Sequence, residues 1–358
     1  MSEGKIQLAG LSFEELEQWT LEQKQPRFRA KQLYGWLMKG AAFSEMTNLP
    51  AAFREVLERE AVANPVRIER CVKSKLDGTE KFLYALEDGN LIEGVLMRYH
   101  HGNTLCLSTQ VGCKMGCAFC ASTLNGCVRN LTSGEMLGQV LCANRHLSET
   151  APGEKVGNIV LMGSGEPLDN YENTLKFLRL ALDERGLNQS ARGISLSTCG
   201  LVPRIYQLAE EGIPLTLSLS LHAPNDEIRA RLMPITRSYS MDQVLEACRH
   251  YVEKTGRRVI FEYALVRDIN SDVRHADELA RKLRNLQCHV NVIPLNDVPE
   301  RNLRAPDAHT VQAFLNRLAL RHISATRRRE MGDDIQGACG QLRRHAMEEM
   351  GKPTSGEE

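Results

Sequence analysis

The sequence has no apolar run approaching the ~20 residues that a membrane-spanning helix needs. Its start, MSEGKIQL, has no signal-peptide core. A cytoplasmic protein with no membrane partner is therefore expected. Net charge is also lacking: 45 Lys+Arg balance 45 Asp+Glu in 358 residues, and the pI is near 7.1. A nucleic-acid partner would have to be held by local basic patches, because there is no global positive field to attract it. No polar low-complexity tract precedes the tail, and 42% hydrophobic with 25% charged residues describes an ordinary globular chain. The sequence shows no disulfide framework either. Its eleven cysteines are odd in number and irregularly spaced, which points some of them toward metal binding or catalysis.

What is present falls into successive patterns. Residues 1–62 read as an N-terminal helical accessory domain. Ser12 and Glu15 have capping-box spacing ahead of a helix through Leu16, Trp19 and Leu21. Pro26 suits the first turn of a second helix, in which Phe28, Leu33, Trp36 and Leu37 recur at helical spacing; a third, through Phe53 and Leu57, follows Pro50. Lys24, Arg27, Arg29, Lys31 and Lys39 read as a solvated face or as an RNA-contacting patch. Residues 63–102 read as a β meander, with the runs VRIERCV, KFLYAL and LIEGVLMRY separated by turns at Asp77-Gly78 and Asp88-Gly89.

From 103 to 345 strand-like and helical stretches alternate, with candidate strands at 104–110, 158–163, 193–198, 215–221, 259–266 and 289–295. About six βα units fall short of a closed eight-unit barrel. The expected fold is therefore α/β, a partial (open) parallel βα barrel. Residues 346–358 read as a disordered tail.

The unusual polar motifs follow the C-terminal ends of these strands, the face on which parallel βα folds carry active sites. They are Cys113–Cys120, GSGEP (163–167), STCG (197–200), SLHA (220–223) and Asn296. Cys113, Cys117 and Cys120 are spaced C-x3-C-x2-C. Structural zinc would want a fourth ligand at a matching distance, and Cys127 is awkwardly placed to supply it. Three thiolates on an iron–sulfur cluster leave one iron open for a small molecule. Zinc and unligated core cysteines are the alternatives. Cys106 alternates with Leu105 and Leu107, so by pattern alone a buried structural cysteine is favoured; Cys339, between glycines 337 and 340, has no core-like setting. His222 could be a core histidine, and Glu93 a surface carboxylate. Cys71, Cys127, Cys142, Cys199, Cys248 and Cys288 read as packing residues.

The ordered motifs TLCLSTQVGC, GCAFCAST, RNLTSGE, MGSGEP, LSTCG, SLSLHAPNDEIRARLMPI, TGRRVIFEYAL, HVNVIPLN and GDDIQGACGQL run from about residue 28 to 343. They resemble the RlmN/Cfr family of radical-SAM RNA methyltransferases, on its RlmN side. The resemblance implies a 4Fe–4S cluster on Cys113, Cys117 and Cys120, with S-adenosylmethionine beside Gly165, Glu166, Ser197, Ser220, Leu221, His222 and Asn296. It implies that Cys339 is itself methylated, that Cys106 is its redox partner, and that Glu93 accepts a proton. Two S-adenosylmethionines serve each turnover: one methylates Cys339, the other yields a 5′-deoxyadenosyl radical that activates this methyl for addition to adenine. Attack by Cys106 on the Cys339 sulfur then releases the RNA. The implied product is 2-methyladenine in 23S ribosomal RNA and beside the tRNA anticodon, with an electron donor such as flavodoxin. Carbon-8 methylation, as in Cfr, is the nearest rival, and action on a non-RNA substrate a more distant one. Cys199 stands where the family usually has serine, and Gln336-Gly337 where Asp-Ala is commoner. Arg321, Arg327, Arg328, Arg329, Arg343 and Arg344 flank the Cys339 loop and are read as an RNA patch or a solvated basic strand.

Overall fold

The computed structural model describes residues 4–296, 298–337, 341 and 345–346. One sheet organises them. Its strands are β1 Val66–Lys73, β2 Glu80–Leu86, β3 Asn90–Tyr99, β4 Gly102–Cys106, β5 Val156–Leu161, β6 Ile194–Thr198, β7 Thr216–Ser220, β8 Val259–Leu265, β9 Cys288–Pro294, β10 Ala325–Arg327 and β11 His345–Ala346. The first ten lie in chain order across the sheet, and β11 pairs with β3. From β4 to β10 every pairing is parallel. From β4 back to β1 every pairing is antiparallel. β4 is thus the seam between a βα half and a meander. The sheet ends at β10 without closing on β1, so the barrel is open and partial.

Strand chemistry explains the layering. In β6, Ile194, Leu196 and Thr198 are buried while Ser195 and Ser197 alternate with them. In β7, Leu217 and Leu219 join the core between Thr216, Ser218 and Ser220. Alternation at period two sends leucines toward the covering helices and small hydroxyls into the barrel, leaving room there for a ligand. The covering helices include Ser133–Thr150, Tyr171–Leu182, Val202–Glu210, Met241–Thr255, Val273–Lys282 and Ala308–Leu320. Ser133–Thr150 starts at a capping box of Thr132 and Glu135.

The N-terminal helices are Phe13–Glu22, Phe28–Leu37 and Ala51–Glu60, the first capped by Ser12 and Glu15. Their buried Leu16, Leu33, Phe53 and Leu57 share one continuous core with the barrel. Three local expectations need correction. Pro26 precedes the second helix, whose N-cap is Arg27. Phe28 (57%) and Leu21 (45%) are exposed despite their helical spacing, because helix contacts are used up by the residues beside them. The strand expected over 104–110 stops at Cys106. Beyond it the chain runs over the rim: Leu107 N–H donates to Val160 O (3.1 Å) and Thr109 N–H to Ser164 O (2.8 Å). Gln110–Gly112 then forms a separate ribbon with Cys127–Asn130. β10, three residues of polar character, carries too little pattern to be read in advance.

Candidate active site

The C-terminal ends of β5 to β9 open into a cavity with about 990 Å³ of empty space. Cys113, Cys117 and Cys120 line it together with Gly165, Glu166, Ser197, Ser220, His222 and Asn296. The cysteine loop is shaped by backbone. Cys113 N–H donates to Gly126 O (3.0 Å) and Ala118 N–H to Leu232 O (2.8 Å). Thr123 Oγ1 donates to the carbonyls of Cys117 (3.2 Å) and Cys120 (2.9 Å), and Arg301 donates in turn to Thr123 Oγ1 (2.8 Å). Gly112 is obligatory here: at φ 80°, a Cβ would stand 2.0 Å from Gly126 O. Burial pushes the Cys113 thiol up to about 12 and Cys117 well above its ordinary value. Three thiols lining one cavity, with burial opposing their ionisation, suit a metal group that brings positive charge and takes them as thiolates. The donor set and the free space both fit an iron–sulfur cluster.

Glu166 is buried, and desolvation raises its pKa despite the amides that hold its carboxylate. Its Oε1 accepts from Leu168 N–H (3.0 Å) and its Oε2 from Cys199 N–H (2.8 Å). Gln110 Oε1 accepts from Glu166 N–H (2.9 Å). Gly165 makes this approach possible: at φ 112°, a Cβ would lie 2.7 Å from Gln110 N. His222 holds a left-handed φ of 54°. Its Nδ1 accepts from Ala264 N–H (2.8 Å), so in the neutral ring the proton sits on Nε2. Burial, with Arg229 adding to it, lowers the His222 pKa to about 3. Phe119 packs edge-on against the ring at 4.7 Å. Leu221 differs from the other expected residues, since its side chain belongs to the core and only its backbone reaches the rim.

A second cavity adjoins the first. Met162, Ile293, Asn296 and Arg328 line both. Cys106, half-buried, lies in the second cavity with Val95, Met97, Tyr99, Met331 and Gly337. Registers place Lys81, Val95, Cys106 and Val160 in a row across β2 to β5. Glu93, two residues from Val95, shares their face. It is buried rather than a surface carboxylate, and Lys81 Nζ pairs with it at 2.8 Å. Cys339 lies outside the described residues, as do Arg343 and Arg344; Gly337, two positions before Cys339, borders the cavity of Cys106. Of the other arginines, Arg321 pairs with Asp277 and Arg327 with Glu330, while Arg328 and Arg329 line the second cavity.

Several site residues escaped the sequence reading. Cys199, taken for packing, lines the first cavity and holds Glu166 through its amide. Glu262 is buried in the same wall, accepting from Asn291 Nδ2 (3.0 Å), with Arg328 Nη1 at 3.5 Å from its Oε2. Arg229 is fully buried and donates to the carbonyls of Cys199 (2.6 Å), Ser220 (3.2 Å) and Leu221 (3.3 Å), tying the ends of β6 and β7 together. The available signal was an arginine on the apolar side of the helix Asp226–Leu232, beside Ile228 and Leu232.

Comparison with known proteins agrees with this geometry. Residues 107–283 match the family profile "Radical SAM superfamily", and residues 6–63 match "Ribosomal RNA large subunit methyltransferase N-terminal domain". A "probable dual-specificity RNA methyltransferase RlmN" of Clostridium botulinum is 51% identical over 334 residues, 93% of this chain and 95% of that protein. Its counterpart in Lachnospira eligens is 47% identical over 98% of this chain and 99% of its own length. A crystal structure of a radical SAM methyltransferase from Sphaerobacter thermophilus superposes with a TM-score of 0.91 at 44% identity, covering 94% of this chain and 99% of that one. In the described residues no helix is long and apolar enough to cross a membrane. With half of its residues shared over almost the whole chain, this protein belongs to the RlmN family of the radical SAM superfamily.

Proposed function

We propose that the chain is an RNA methyltransferase that methylates carbon 2 of adenine, in 23S ribosomal RNA and in the adenosine beside the tRNA anticodon, drawing electrons from a donor such as flavodoxin. The observation that carries this reading is the pair of adjoining cavities. One is lined by Cys113, Cys117 and Cys120; the other is lined by Cys106 and bordered by Gly337, and they share the wall of Met162, Ile293, Asn296 and Arg328. Cys113, Cys117 and Cys120 would hold one 4Fe–4S cluster, with two S-adenosylmethionines consumed per turnover. When bound, these groups supply one-electron reduction and a carbon-centred radical.

The chain's own residues do the rest. Glu166, fixed by two amides, accepts a hydrogen bond from the amino group of S-adenosylmethionine. Gly165, Ser197, Ser220, the backbone at Leu221 and Asn296 close around that ligand, and His222 offers its Nε2–H as a neutral donor. Cys339 carries the methyl. Glu93 takes the proton from the adenine carbon, its carboxylate held by the buried ion pair with Lys81. The Cys106 thiolate then attacks the Cys339 sulfur: a disulfide forms, the carbon–sulfur bond to the base breaks, and the electron pair leaves with the base, whose exocyclic carbon takes up a proton to become the methyl group. An unstacked adenine in a loop is the substrate such a recessed wall can reach.

Removing Cys106 blocks only the last step. Cys106→Ala protein should carry covalently attached RNA on a denaturing gel, and Cys339→Ala should carry none. Purified enzyme with S-adenosylmethionine, a reductant and protein-free 23S RNA should yield 2-methyladenosine by nucleoside mass spectrometry. RNA-free, fully active Cys106→Ala would overturn the resolving role, and 8-methyladenosine as main product would overturn the choice of carbon.

A further inference from the structure

The first hairpin of the meander reaches across the sheet to the segment that leads into Cys339. Three contacts join them. Asp77 Oδ2 accepts from Gly332 N–H at 2.9 Å. Asp334 Oδ2 accepts from Lys75 N–H at 2.9 Å. Lys81 Nζ donates to Gln336 O at 3.2 Å while pairing with Glu93 at 2.8 Å. The hairpin is braced internally: Ser74 Oγ accepts from Leu76 N–H (3.0 Å) and Asp77 N–H (3.3 Å), and Asp77 Oδ1 from Thr79 N–H (2.9 Å). The other partner is a tight turn, with Gly337 N–H on Gly332 O (2.8 Å) and Gln336 N–H on Asp333 O (3.1 Å). Gln336 itself has a left-handed φ of 50°.

We infer that Asp77 and Lys81 are positioning residues, forming a clamp that holds residues 332–337, the approach to Cys339, beside the cavity of Cys106. This rests on the two-cysteine reading above. The physical need is plain. The approach to Cys339 runs through Gly332 and Gly337, and a glycine-containing loop left to itself spreads over many conformations, each fixed residue costing about 1–2 kcal/mol. Lys81 answers that need twice with one ammonium group. It pairs with the carboxylate that would take the proton, and it holds the carbonyl three residues before the sulfur that would carry the methyl. Its side chain is 13% exposed and that of Glu93 5%, so the pair is little screened by water. Asp77 acts through the loop alone. Lys81 acts through the loop and through the Glu93 carboxylate it pairs with.

The test follows amide exchange over 332–337 in the enzyme as isolated, and with oxidised glutathione the Cys106–Cys339 disulfide by peptide mass mapping, counted only in the fraction whose Cys339 peptide is unmethylated. Lys81→Met and Asp77→Ala should each slow this crosslink about tenfold and speed amide exchange over 332–337 by a similar factor, the equivalent of freeing about one residue. Lys81→Arg keeps a buried cation and a donor, Asp77→Asn keeps an acceptor, and both should stay within a factor of two or three of wild type. Iron content and thermal midpoint identify a variant that has failed to fold; should Lys81→Met fail, Asp77→Ala carries the test from the other end of the clamp. Folded variants that crosslink at the wild-type rate would overturn the clamp alone. Wild-type enzyme that forms no Cys106–Cys339 disulfide would instead remove the two-cysteine reading, and the clamp's purpose with it.

Discussion

The two cavities share a wall and differ in how their surroundings treat charge. The first buries ionisable groups at the expense of their charged forms. The Cys113 thiol is pushed up to about 12, Glu166 lies above the usual carboxylate range, and His222 falls to about 3, each chiefly by burial. Behind the second, on the sheet face that carries Cys106, buried charge is paired: Lys81 with Glu93 at 2.8 Å. A pocket that disfavours uncompensated charge suits ligands that bring their own, such as a cationic metal group and a sulfonium. A pocket with paired charges suits proton transfer and thiolate attack. On the proposed reading, radical chemistry and polar chemistry would sit on either side of the shared wall of Met162, Ile293, Asn296 and Arg328.

The most damaging way to break this contrast is to remove a sulfur from the first cavity. Anaerobic wild-type protein should hold about four irons per chain. Cys113→Ala should lose that iron and all 5′-deoxyadenosine formation, as read by iron assay and chromatography. Stoichiometric zinc in place of iron would show that the pocket holds a different metal.

A smaller effect is expected from Arg229, which keeps the first cavity in shape without entering its chemistry. Arg229→Met leaves the carbonyls of Cys199, Ser220 and Leu221 without their buried donor. At ~1–3 kcal/mol for each unsatisfied buried group, a loss of about 3 kcal/mol follows, visible as a lower thermal midpoint. S-Adenosylmethionine affinity should fall with it, because β6 and β7 are no longer tied. An unchanged midpoint would mean that water replaces the guanidinium, and that the cavity is wetter than its charges suggest.

The smallest effect sharpens the comparison through pH. His222 has a folded pKa near 3 against an ordinary 6.5. The unfolded chain therefore takes up this proton first on acidification, and folded stability drops between pH 6.5 and about 3. At ~1.4 kcal/mol per pH unit, lowering pH from 7 to 5 costs about 2 kcal/mol at this one site. His222→Asn should remove that share of the pH dependence in unfolding measurements. Equal slopes for variant and wild type would show that the ring is already solvated.

The sequence was most legible where chemistry and period coincide. The βα alternation, the serines inside β6 and β7, and the thiols of the Cys113–Cys120 loop are local patterns, each visible within about ten residues. Glycine turns at Asp77-Gly78 and Asp88-Gly89 appear where dipeptide chemistry puts them, with Gly78 at φ 75° and Gly89 at φ 84°. Legibility failed at three kinds of place. The strand expected over 104–110 leaves the sheet at Cys106, because the amides beyond it find partners on the next strand and its rim. Cys199 looked like packing because its contribution is made by its amide, which no side-chain pattern reports. Glu93 looked exposed because its cover comes from Lys81 on another strand.

What the sequence determined by itself is the kind of parts: an open parallel barrel, a meander before it, three thiols spaced within one loop and a family. What only the tertiary structure decided is which parts meet. Asp77 and Gly332 stand 255 positions apart and share a hydrogen bond; Lys81 and Gln336 are equally distant in the chain. Periodicity tells each residue which face of its element it occupies, through local sterics and solvent. The partner across that face is chosen by the packing of the whole sheet, a global condition that no short window of sequence contains.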